Sequence, residues 1–118
     1  MGNRIKVGSI SGSNINIRRD VTQTIGASDI DEDVKTRLEA LLKELTTTLA
    51  QLPSALDEDA EAIASVAGHL VTEAVRERPN RKIISGFTET LRSLGSRIAD
   101  VGPIVLEIIK LVNNIMGA

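Results

Sequence analysis

Four cations, Arg76, Arg78, Arg81 and Lys82, crowd the residues on either side of Pro79, the densest concentration of binding chemistry in the chain. Arginine forks take phosphate or carboxylate oxygens in pairs, and unpaired N–H groups at a helix start add to the attraction. The cluster is therefore a candidate site for a small anionic, nucleotide-like ligand. A plainer role fits the same residues, because Arg76 and Arg78 at the end of a helix answer its negative dipole end. His69 has Glu73 four residues on and Glu61 eight back, helical spacings that put all three on one face. One imidazole without an HExxH pattern or a cysteine is a weak basis for a metal site. Asp57, Glu58, Asp59 and Glu61 lack the spaced loop and central glycine of a calcium site, and the start of a helix accounts for them.

Nucleophilic chemistry finds no better footing. The run GSISGS does not follow the GxSxG order of a nucleophile elbow, and Gly8 and Gly12 belong to no phosphate-binding or dinucleotide pattern. The chain has no cysteine and one histidine, which removes disulfides, thiolate catalysis and cysteine-ligated metals. No catalytic residue, metal or cofactor is expected, and the chain reads as non-enzymatic. Phe87 is the one aromatic among Phe, Tyr and Trp, so stacking platforms for bases are missing and a nucleic-acid partner is disfavoured. Acidic residues concentrate over 29–61 and basic residues over 76–98 beneath a net charge of −2. That asymmetry suits charge-steered contact with a copy of the chain or another protein, and equally suits solvated helix faces. The start MGNRIKV has no apolar signal core, which gives a cytoplasmic expectation.

The elements that position these residues come next. Over Arg4–Arg18, Ile5 and Val7, then Ile15 and Ile17, alternate with polar or small neighbours, the period of two shown by one-sided strands. With Gly12 in the turn between them, the expectation is a β-hairpin. Two bare strand edges are costly, so this hairpin either packs on the helices or pairs with other copies. Asp20–Gly26 stays undecided, since Val21 and Ile25 are four apart while Val21, Thr22 and Thr24 are β-branched. Capping boxes are read at Ser28–Asp31 and at Ser54–Asp57. The first opens a helix carrying Val34, Leu38, Leu41, Leu42, Leu45, Leu49 and Leu52 and ending at Pro53; the second opens a small-residue helix reaching to about Arg78. Asn80 caps a third helix with Ile84, Phe87, Leu91, Leu94, Ile98 and Val101 repeating at three and four, and Pro103 opens a fourth.

That last helix, PIVLEIIKLVNNIM, is nearly all apolar, and the others are expected to pack around it. At about 21 Å it is shorter than the roughly 30 Å hydrocarbon core, and Glu107 and Lys110 interrupt it, so no membrane span is expected. The class expected is α+β, mostly α: an N-terminal β-hairpin followed by a four-helix antiparallel bundle. One domain is read over 1–118, with hairpin and connector over 1–28 and bundle over 29–118. Interface candidates are Ile5, Val7, Ile10, Ile15 and Ile17 from the strands and Ile108, Leu111 and Ile115 from the last helix.

The run VGSISGSNINIRRDVTQTIG, residues 7–26, resembles a short β-then-helix module of bacterial, especially cyanobacterial, signalling and conflict-system proteins. The resemblance implies an association module, an adaptor in bacterial signalling or defence, and carries over no functional residues. Two function classes result: a non-enzymatic homo-oligomerisation or protein-interaction module, and an anion-binding protein using the basic turn.

Overall fold

The computed structural model describes residues 19–117. Where the sequence left Asp20–Gly26 open, burial decides. An extended path would turn Gln23 to the same side as Val21 and Ile25, whereas a helix separates it from them. The chain forms helix α1, Arg19–Ala27, with Val21 and Ile25 buried and Gln23 exposed. Four more helices follow: α2, Glu32–Ala50; α3, Asp57–Ala74, preceded by one 3-10 turn at Ser54–Leu56; α4, Arg81–Gly95; and α5, Gly102–Ile115.

The α+β class with its β-hairpin is therefore corrected. Every regular element among the described residues is a helix and none is a strand, so there is no sheet for a hairpin to extend. The segment that carried the expectation, with Ile5, Val7, Ile10, Ile15 and Ile17, lies outside the described residues. The four helices expected become five among the described residues, because the four-residue spacing of Val21 and Ile25 outweighs local β propensity once both reach a core.

Helix ends follow the sequence in part. Asn80 caps α4 as read, its Oδ1 accepting the N–H groups of Lys82 and Ile83 at 3.0 and 3.1 Å. Pro103 sits in the first turn of α5, where its missing N–H costs nothing. The two capping boxes do not form. Ser28 Oγ donates instead to the Ile25 carbonyl at 2.6 Å and closes α1, and Lys35 Nζ, donating to the Gly26 carbonyl at 3.0 Å, finishes the same end. Helix α2 starts behind Asp31 and α3 behind Leu56, neither with a side-chain cap. Carboxylates in the first turns, Glu32 and Asp33 on α2 and Asp57 to Asp59 on α3, take over electrostatically.

The hub is α3 rather than the apolar α5. Ala60, Ala64, Ala67, Gly68 and Ala74 let neighbours come close, and α3 packs most extensively against α4 and also touches α1, α2 and, least, α5. At Gly68 an added Cβ would stand 3.6 Å from Val21 of α1, an ordinary contact distance. Helix α5 packs on α2, α4 and α3, with Ile104, Val105, Ile108, Ile109, Leu111 and Val112 buried. The leucine stripe of α2, Leu38, Leu42, Leu45 and Leu49, is buried too, and an Arg37–Glu107 ion pair at 3.2 Å ties α2 to α5. No helix among the described residues is long and apolar enough to cross a membrane.

Candidate interaction face

Helices α3 and α4 form a tight pair joined by the turn that carries the basic cluster. A single carboxylate organises that turn. Glu73, buried near the end of α3, accepts the backbone N–H of Asn80 at Oε2, 2.9 Å, and Arg76 Nη1 at Oε1, 3.0 Å. The Asn80 N–H, followed by Arg76, holds the Glu73 carboxyl below the ordinary glutamate value, and burial opposes them. Glu73 therefore fastens the residue that caps α4 to the end of α3.

A group whose pKa is lowered by folding contributes stability above its unfolded value and loses it as pH falls through the folded value. Glu73→Gln keeps an oxygen for Asn80 but loses the charge. The variant is expected to melt below the parent at pH 7, and the gap is expected to close as pH drops through about 4.3 and below. Thermal melts followed by circular dichroism across that range check this; a gap independent of pH would assign Glu73 to packing alone.

The four cations divide in this geometry. Arg76 is engaged by Glu73. Arg81 Nη2 donates to the Met116 carbonyl at 3.2 Å, satisfying the end of α5. The helix-start N–H groups of Lys82 and Ile83, which an anion would need, are already taken by Asn80. Arg78 and Lys82 are left exposed. His69 is exposed on α3 and stacks on Phe87 of α4, ring centroids 5.7 Å apart and planes at 24°, so it does not share a ligand set with Glu73. No group of three His, Cys, Asp or Glu suited to a metal ion occurs among the described residues.

The interface candidates of the last helix also divide. Ile108 is wholly buried and Leu111 nearly so, both within the chain's own core, while Ile115 is half-buried at the rim. Ile115 and Ile30 line two open concavities, one of about 600 Å³ between the α1–α2 connection and the turn after α3, where Arg76 and Pro79 also line it, and one of about 390 Å³ between the start of α2 and the end of α5.

Sequence reading missed a different surface. The His69–Phe87 stack fixes the register of α3 against α4. Counting outward by three and four, Ala62, Val66 and His69 line one bank of a seam, and Ile83, Phe87, Thr90 and Leu94 the other. Ile83 is 44 % exposed, and Ala62, Val66, Phe87 and Leu94 are half-buried. The seam is thus a long, partly apolar strip beside the buried row Ile84, Leu91 and Ile98. Its sequence signal was the second apolar row on α4, where Ile83 and Leu94 widen the stripe beyond what one neighbour covers. Leu106, 48 % exposed on α5, stands among Pro103, Glu107 and Lys110 and is an ordinary isolated surface residue. No family model, curated protein or solved structure matches this chain.

Proposed function

We propose that this chain is a small non-enzymatic association module that acts by homo-oligomerisation, with the α3–α4 seam as its contact face. The observation that carries the reading is Ile83, 44 % exposed, in line on α4 with half-buried Phe87, the chain's one Phe, Tyr or Trp. Aromatic and branched apolar side chains in a water-accessible row are the usual anchors of protein contacts. The non-enzymatic part rests on the sequence, with its lone histidine, missing cysteine and absent nucleophile motif. The resemblance of residues 7–26 to modules of bacterial signalling and conflict systems points the same way, toward an adaptor. The anion-binding alternative draws less support, because Arg76 and Arg81 have structural partners and the N–H groups at the start of α4 are capped.

Mass in solution tests the reading. Light scattering between about 1 and 500 μM is expected to rise above the 12.6 kDa of one chain. Ile83→Glu replaces an exposed side chain and is expected to keep the helical spectrum while weakening association by about tenfold or more, the effect of losing an interface anchor. A parent that stays at 12.6 kDa across the whole range overturns the proposal.

A further inference from the structure

The seam has two differently charged ends. At the start of α3 stand Asp57, Glu58, Asp59 and Glu61, four carboxylates that the single cation Arg97, two residues past the end of α4, does not outnumber. At the other end, around the α3–α4 turn, stand Arg76, Arg78, Arg81 and Lys82, against Glu73 and Glu77. Glu58 and His69, both exposed, lie 11 residues apart, about three helical turns, so they share one side of α3, and the exposed Arg76 and Arg78 follow in the turn beyond Ala74, at the opposite end.

Resting on the association reading above, we infer that the occupant of the seam is a second copy of this chain lying antiparallel, its basic turn over the acidic start of α3. Two identical faces meet about a twofold axis that lies in the contact plane. An axis running along the helices would set each end on its own counterpart, acid near acid and the four cations near four more. An axis across the helices reverses the partner, so α3 lies on α3 with half-buried Val66 near the centre. Glu58 of each copy then faces the residues around Arg76 and Arg78 of the other. Charge complementarity selects the second axis, because opposed net charges attract where equal ones repel, and like charges across an interface cost affinity.

The size of the face sets the affinity range. A strip about 27 Å long and roughly two helices, or 20 Å, wide covers about 500 Å² on each copy, at the lower limit for a specific contact. The dimer is therefore one that forms at micromolar concentrations and loosens in salt, since its end charges are exposed and screened over about 10 Å at 0.1 M.

A charge exchange tests the orientation on the full chain. Glu58→Lys alone sets lysine against Arg78 twice, and Arg78→Glu alone sets glutamate against Glu58 twice. Each is expected to weaken self-association at least fivefold in light scattering at low salt. An equimolar mixture of the two variants brings opposite charges together at both ends and is expected to recover the parent's dimer. Should either reversal disturb folding, shown by its circular dichroism spectrum, Glu58→Gln and Arg78→Gln replace it; each is then expected to flatten the salt dependence of the parent. A dimeric parent whose reversed variants neither weaken nor recover on mixing overturns the antiparallel arrangement and leaves association standing. A monomeric parent overturns both.

Discussion

Leu111→Asp is expected to lower the melting temperature by about 15 °C or more, or to leave the chain unfolded at 25 °C. Leu106→Asp, five residues earlier on the same helix, is expected to change it by no more than a few degrees. Leu111 is 7 % exposed in the cluster that α5 shares with α2, α3 and α4. Removing a buried leucine costs about 2 to 5 kcal/mol through lost transfer and the cavity left behind. An unpaired carboxylate in its place adds a further penalty, part of which the group escapes by taking up a proton. A chain of this size has roughly 5 to 15 kcal/mol in all, and each kcal/mol moves the midpoint by about 4 to 8 °C. At Leu106 the new charge faces water beside Lys110, and surface changes of this kind stay within about 0.5 kcal/mol. Thermal melts of both variants decide the matter; equal losses would mean that α5 is not inserted with the face described.

The same helix shows what the sequence disclosed and what it hid. Its apolar run forecast a buried helix, and it is buried. It did not forecast which helix the others gather on. Hydropathy ranks Ile and Leu above Ala and Gly, so PIVLEIIKLV outweighed α3, yet close approach depends on small side chains. Ala60, Ala64, Ala67, Gly68 and Ala74 give α3 neighbours on several sides, whereas α5 serves mainly α2 and α4. Burial of Ile108 and Leu111 within the chain's own core follows from that arrangement.

Local chemistry was legible where one residue decides it. Asn80 had a single role available after Pro79, and it caps α4. Ser28 was read only as the start of α2, and the existence of α1 gave it to that helix's end instead. The basic turn was visible as charge but not as a set of engagements. Glu73 reaches both Arg76 and the Asn80 backbone because α3 stops at Ala74 and the chain doubles back, a geometry that spacing alone does not specify. The seam was hidden for a similar reason. Phe87 read as a core residue of α4, and only its register against His69 shows it at the edge of that core, level with exposed Ile83.

One substitution made twice on α4 probes that packing most directly. Gly95→Ala is expected to destabilise by about 1 to 3 kcal/mol, while Gly86→Ala is expected to stabilise by about 0.5 to 1 kcal/mol. Both remove the same backbone freedom from the unfolded chain, and both exchange the poorest ordinary helix former for the best. Their surroundings differ. A Cβ at Gly86 meets nothing within 4 Å. At Gly95 it would stand 2.9 Å from Val105 Cγ2, 3.1 Å from its Cβ and 3.2 Å from its Cγ1. Turning the valine does not relieve this, because its Cβ is itself too close and a β-branched residue has one favoured rotamer in a helix. The α4–α5 pair must therefore move apart near the Gly95–Gly102 corner, at a cost that exceeds the gain in propensity. Urea unfolding of the two variants beside the parent measures the difference, with an unchanged slope confirming that the same surface is exposed. A Gly95→Ala chain as stable as Gly86→Ala would mean that α4 and α5 do not approach as closely as the structure has them.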